Sequence, residues 1–334
     1  MSASRVCLAR LGAVLFVPWL ISVSAMGQNV DAIALRASQP RALPPGVLTA
    51  IPSESEREET FSGPRELPDV VQGIPRLDWM PNYSPSTRRL LDMAEAMILR
   101  RGIWNLDFAF KPLRMLHVDV PQSNGALRKQ LVWYLVYRVT NNGHHVQPKP
   151  QQDQFGNETY DAGYANHTIR FFPNFVLVDQ EAKRTYLDQI IPSAVRAIAR
   201  RESLDHPLLN SVSISRRDIP VSSDAVDRSI WGVATWTDID PRVDFFSIFA
   251  SGLTNAYRYE ELMESYDASQ PPGKGRQFER KTLQLNFWRP GDAVEQHERE
   301  IRYGVPGISD PIPEDVIFRL YGVQKRLDYQ WIYR

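Results

Sequence analysis

Leu131–Gly143 reads LVWYLVYRVTNNG, and the fold turns on how its first ten residues are taken. Odd positions carry Leu131, Trp133, Leu135, Tyr137 and Val139; even positions carry Val132, Tyr134 and Val136. Side chains alternate between the faces of a strand, so apolar residues at both parities predict a strand covered on both sides. Its β-branched and aromatic content favours strand over helix for a run this short. Upstream, Leu116, Val118 and Val120 alternate with Met115, His117 and Asp119, and Ser123-Asn124-Gly125 supplies a turn between the runs. Two β-rich runs around an Asn-Gly turn predict a hairpin, and Asn141-Asn142-Gly143 ends its second strand.

Outward from this hairpin, further strands are expected at Thr168–Val178, Ser211–Ser215, Ile230–Thr237, Val243–Ser251, Thr282–Trp288 and Leu327–Tyr333. In Thr282–Trp288, Leu283, Leu285 and Phe287 face one way. That makes about eight strands, mostly antiparallel. A helix is expected from Pro85 to Arg101, capped by Ser84 and stopped by Gly102, with Leu90, Leu91, Ala94, Met97 and Ile98 in one stripe. A second is expected over Pro192–Arg201, with Val195, Ile198 and Ala199 inward and Arg196, Arg200 and Arg201 outward. The expected class is mainly β: an antiparallel β-sandwich with insertions and two short helices, over residues 76–334. The polar stretch 201–227 is where two subdomains would divide. No fixed-period repeat suggests a propeller or solenoid.

The N-terminal segment reads as an export signal. Arg5 and Arg10 precede an apolar run from Leu11 to Val23, and Val23-Ser24-Ala25 offers small residues for cleavage. The run is too short to span a bilayer and contains Pro18, and no later stretch is long enough either. Cys7, the one cysteine, lies ahead of the apolar run, where it cannot serve as a lipoprotein cysteine. Residues 26–75 carry seven prolines and the charged run Glu54–Glu59 without a strand or helix period, and read as a linker. The expected location is periplasmic or extracellular. Sequons stand at Asn82, Asn157 and Asn166.

Charge and composition narrow the function. With 39 basic and 39 acidic residues among 334, the chain lacks the basic excess that would make nucleic acid its partner. A hydrophobic content of 43% is enough to build a core, and one cysteine excludes a disulfide scaffold. No G-x-S-x-G elbow or phosphate-cradling loop is present, and His297-Glu298 lacks the second histidine of a zinc-protease helix. The strongest metal candidates are His144, His145 and His167, in a loop that also holds Asp153, Glu158 and Asp161, though the spacing matches no ligand pattern. Asp238, Asp240 and Asp244, around Pro241, read as a turn: Arg242 and Val243 stand where a calcium loop needs an oxygen ligand and a glycine. Trp104, Trp133, Trp231, Trp236, Trp288 and Trp331 read mainly as core, with sugar stacking as the alternative. No cofactor is indicated.

The strand and turn of LVWYLVYRVTNNG resemble those of immunoglobulin-like modules in exported bacterial proteins, where an alternating Tyr-x-Val-x-Asn strand ends in a glycine turn. Phe245–Tyr259 and Leu285–Asp292 also resemble segments of exported bacterial proteins of uncharacterised role. The resemblance implies an immunoglobulin-like architecture without its disulfide, and carries over no catalytic residue. The expected function is a non-enzymatic envelope scaffold or binding module for an envelope protein or glycan. The alternative is an exported carbohydrate-active hydrolase or carbohydrate-binding protein. An outer-membrane barrel would need many strands of about ten residues with lipid-facing girdles; the long proline-rich tail and two helices argue against it.

Overall fold

Arg114–Pro121 and Leu127–Thr140 pair antiparallel as a hairpin, Met115 opposite Trp133 and Pro121 opposite Leu127. The computed structural model describes residues 48–64, 98–122, 124–152, 154–156, 158–261, 276–289, 300–307 and 313–334. They all fall within one contact unit, Pro40–Arg334; the other, Met1–Gln39, lies outside the described residues.

The first sheet runs Thr49–Ile51, Asp107–Phe110, Leu127–Thr140, Ile230–Thr237 and Leu208–Leu209, with Arg114–Pro121 also on Leu127–Thr140. Only Leu208–Leu209 pairs parallel, against Trp231-Gly232. The second runs Thr185–Leu187, Asn174–Asp179, Phe245–Ser251, Arg276–Trp288 and Tyr257–Glu261, with Arg302–Tyr303 and Tyr329–Tyr333 also on Arg276–Trp288. All its pairings are antiparallel.

The two sheets face each other across one core. Trp133 meets Phe246 edge-on at 5.6 Å, Tyr137 lies 4.8 Å from Phe175, and Phe110 lies 6.2 Å from Phe287. Leu283, Leu285 and Phe287 all enter this core, as their alternation predicts. The other parity of the long strand is covered too. Val132, Tyr134 and Val136 pack with Ala194 and Ile198 of helix Pro192–Glu202. That helix was expected; Val195 and Ala199 are half-buried, while Ala194 takes the inward position. Its last residue, Glu202, is buried and accepts hydrogen bonds from Lys111 Nζ and Arg114 Nη1, both at 3.0 Å, and from Tyr134 Oη at 2.8 Å. An unpaired carboxylate would be costly there, so this cluster locks the helix to the hairpin.

The outer face of the second sheet is covered at one end by helix Glu314–Tyr321. Beneath it, buried polar side chains satisfy one another: Gln180 Nε2 donates to Ser247 Oγ (2.9 Å), Ser247 Oγ to Asn286 Oδ1 (2.9 Å), and Gln284 Nε2 to Asn286 Oδ1 (2.8 Å) and to the Tyr321 carbonyl (2.9 Å). Buried amides and hydroxyls persist only when paired in this way.

Several expectations need correction. Ser211–Ile214 is a helical turn, not a strand, because Asn210 caps it by accepting from Ser213 N–H at 2.8 Å. That local bond outweighs the two-residue alternation, and it sends Ile214 into the core. Ile98–Arg100 is a strand paired with Phe61–Pro64; the rest of the helix expected over 85–101 lies outside the described residues. Thr168–Val178 is broken at Pro173 into Ile169–Arg170 and Asn174–Asp179. The helices number three among the described residues, and the strands well exceed eight. Within 201–227, Leu208–Leu209 joins the first sheet and Ile219 enters the main core. The stretch expected to be linker is partly built in. Thr49–Ile51 pairs with Phe108–Phe110, Ile51 is in the core, and Glu59 is buried against Lys281 at 2.6 Å.

Candidate functional site

Gly143 sets the loop that carries the histidines. It adopts φ +75°, and a Cβ there would lie 2.6 Å from Asn166 Oδ1 and 2.8 Å from Val221. Asn141, fully buried, donates to the carbonyls of His167 (2.7 Å) and Ile219 (2.8 Å), tying three segments together. The histidines do not converge. His144 is exposed; His145 is buried, with Nε2 3.3 Å from the His167 carbonyl. The rings of His145 and His167 lie nearly parallel, 5.9 Å apart at 13°, so their nitrogens point side by side rather than at one centre. Burial lowers the His145 pKa and keeps that ring neutral. Among the described residues no three His, Cys, Asp or Glu side chains are grouped to hold a metal. Asp153 and the side chains of Glu158 and Asp161 lie outside them.

The acidic groups have structural partners. Asp240 accepts from Arg242 and Arg184 at 2.8 and 2.7 Å and from the Arg242 N–H at 3.0 Å, which holds its carboxyl well below the usual range. Arg289, buried, donates to the carbonyls of Pro241 and Val243 and braces the same turn. Asp179 accepts from the N–H groups of Glu181 (2.9 Å) and Ala182 (3.0 Å).

Asp188 was not legible in the sequence. It accepts from Thr235 N–H at 2.8 Å and from the Ser211 hydroxyl, and no basic side chain among the described residues pairs with it. Among the described residues no imidazole hydrogen-bonds to either Asp188 or Ser211. Burial pushes its pKa up from 3.8 to about 6. A raised folded-state pKa favours the folded state at low pH, and that contribution is lost as pH rises through about 6. Asp188→Asn, which keeps an acceptor for Thr235 N–H, is expected to raise stability near pH 8 by about 1–3 kcal/mol and to give no gain near pH 4. Melting curves of both proteins at the two pH values check this; an equal effect at both would show that Asp188 is not the titrating group.

Trp133, Trp236 and Trp288 are buried, as the core reading expects, while Trp104, Trp231 and Trp331 are half-buried. Trp104 lines a groove of about 620 Å³ on the outer face of the second sheet. The floor is built by strand parity. Phe175, Ile248 and Ala250 point into the core, which turns Asn174, Val176, Phe249 and Ser251 outward. Phe172 and Phe278, 63% and 57% exposed, stand in the lining with Trp104 and Tyr257. Tyr257 and Phe278 meet edge to face at 5.7 Å. Two cations share the groove: Arg334 lies 4.0 Å over the Phe249 ring, and Arg280 is exposed beside it. Among the described residues the lining contains neither Asp nor Glu, and no described carboxylate pairs with either arginine. The polar neighbours are engaged: Asn255 accepts from Trp104 N–H and donates to the Gly102 carbonyl, both at 2.9 Å, and Ser251 bonds Thr282 at 3.0 Å.

Gly252 makes the groove possible. Phe245–Ser251 and Tyr257–Glu261 both pair with Arg276–Trp288, and residues 252–256 bulge out between them. Gly252 turns into the bulge at φ +92°, and an added Cβ would lie 2.2 Å from the Phe172 carbonyl oxygen. A side chain there would be strained twice, by backbone angle and by collision. Gly252→Ala is expected to destabilise the fold by about 2–4 kcal/mol and to displace Phe172, read as a lowered melting temperature. An unchanged melting point would show that the 171–174 loop moves freely.

A second cleft, of about 720 Å³, opens beside Thr49–Ile51, with Asp107, Arg138, Asn142 and His144 in its lining. Asp107 accepts from the neutral donors Ser53 Oγ (2.8 Å) and Asn142 Nδ2 (3.0 Å), and Arg138 reaches Asp227 at 3.6 Å. Of the two, the aromatic groove is the one that sets strongly exposed rings beside cations that no described carboxylate pairs. No protein family model, curated protein or solved structure matches this chain.

Proposed function

We propose that the chain is an exported, non-enzymatic envelope protein, an immunoglobulin-like β-sandwich acting as a scaffold or binding module, and that it binds through the aromatic groove on its second sheet. One observation carries the reading: exposed rings and two arginines without carboxylate partners among the described residues share one concave surface. Displayed aromatic area and unmatched charge are what a recognition surface needs. A guanidinium neither gives nor takes a proton near neutral pH, so these groups suit holding a ligand rather than general acid–base catalysis. The export half rests on Arg5, Arg10, the apolar run to Val23 and Val23-Ser24-Ala25. Trp104 favours carbohydrate binding as the second reading; among the described residues the groove lining holds no carboxylate of the kind glycoside hydrolysis uses. The test has two parts. Material recovered outside the cytoplasm should begin near residue 26, and Met1 at its N-terminus would remove the export half. On a panel of glycans and envelope peptides, Phe278→Ala should abolish binding without changing the melting temperature. Binding that survives it would place recognition elsewhere.

A further inference from the structure

We infer that the groove takes an acidic polysaccharide of the uronate type, with sugar carboxylates on Arg280 and Arg334 and sugar faces on Phe172, Phe278 and Trp104. This rests on the binding-module reading and adds the chemistry of the ligand.

The charge argument comes from the backbone. Arg280 and Arg334 exchange both hydrogen bonds, Arg280 N–H to the Arg334 carbonyl at 2.8 Å and Arg334 N–H to the Arg280 carbonyl at 3.2 Å. Residues opposed in this way sit about 5.5 Å apart at Cα and send their side chains to the same face. Like charges directly opposite repel. No described carboxylate relieves the pair, and the groove lining has none. An anion that entered would find two forked donors, each able to grip a carboxylate with two parallel bonds. Arg334 is already laid flat on Phe249, so less of its freedom is lost on binding.

The remaining lining selects a sugar over a peptide. Phe172 and Phe278 leave more than half of their surface exposed, and aromatic area of this kind suits the C–H faces of a pyranose. A peptide that binds by adding a strand needs a sheet edge, where backbone groups are unpaired. Here the floor strand Phe245–Ser251 is paired on both sides, by Asn174–Asp179 and Arg276–Trp288. The groove therefore lies over a sheet face and offers an extended chain no free backbone ladder.

Titration of the purified protein with oligogalacturonate, alginate and hyaluronan fragments tests this, with cellohexaose and oligoglutamate as neutral-sugar and acidic-peptide probes. At least one uronate oligomer should bind, more weakly as salt rises. Arg280→Gln and Arg334→Gln should each weaken that binding about tenfold, with the melting temperature unchanged. Failure of all three uronates to bind overturns the proposal, as does affinity indifferent to both arginine changes. If cellohexaose or oligoglutamate binds as well as any uronate, and Phe278→Ala abolishes it, the groove stands as a binding site and the acidic-sugar assignment falls. If none of the five probes binds, support for both readings is lost.

Discussion

Trp133→Ala is expected to lower the melting temperature by roughly 10 °C or more. The indole is 1% exposed, sits opposite Trp236 in the adjoining strand, and meets Phe246 of the second sheet edge-on at 5.6 Å. Truncation removes its buried area and leaves a cavity between two sheets that cannot close over it. Large aromatic deletions of this kind cost about 3–5 kcal/mol, and each kcal/mol lowers the melting point by about 2–4 °C in a domain of this size. Calorimetry checks it, with Phe278→Ala as the contrast: its ring is 57% exposed, so that change should move stability by no more than about 0.5 kcal/mol. An unchanged melting point for Trp133→Ala would place the indole outside the core.

The second large effect is expected at Glu59. Lys281 and Glu59 form an ion pair at 2.6 Å with both side chains 3% exposed, Lys281 Nζ also donates to the Glu54 carbonyl at 2.6 Å, and Tyr333 Oη donates to Glu59 at 2.6 Å. Glu59→Ala leaves a buried ammonium without its counter-charge, which costs about 3–5 kcal/mol if the segment stays docked. The segment has an alternative: it can detach and let water reach Lys281. The expected result is therefore a drop in stability together with faster trypsin cleavage after Arg57 in the variant than in the parent protein. Glu59→Gln, which keeps the acceptor for Tyr333, should fall between the two. Cleavage after Arg57 at equal rates in parent and variant would show that the strap is not held by this pair.

The strands were legible wherever local pattern and tertiary need agree. Apolar residues at both parities of Leu131–Thr140 required cover on both sides, and the structure supplies it with the second sheet on one face and helix Pro192–Glu202 on the other. Ile230–Thr237 and the inward set Leu283, Leu285 and Phe287 follow the same logic. Alternation misled where it met a competing local bond, as at Ser211–Ile214, or where the solvent face of a strand was not solvent at all. Gln284 and Asn286, opposite in parity to Leu283, Leu285 and Phe287, are both buried, and Gln284 donates to the Tyr321 carbonyl of helix Glu314–Tyr321.

The candidate site was only partly visible. Trp104 could be singled out because a tryptophan is a large apolar surface wherever it lies, but its neighbours in the groove come from residues 172–176, 249–257, 278–280 and 334. The histidines adjacent in sequence did not become a site, since a tight turn sends His144 to solvent and His145 inward.

By itself, the sequence determined the β class, the hairpin and the alternation that fills the core. These depend on periods of two residues and on turn chemistry, which act over a few neighbours. Tertiary structure alone decided that part of the proline-rich stretch is a strap, that Asp188 is half-buried with no basic partner among the described residues, and that Arg280 and Arg334 stand side by side with no described carboxylate between them. Each is a matter of which groups from distant segments meet. Desolvation and charge pairing depend on those meetings, and no short-range pattern encodes them.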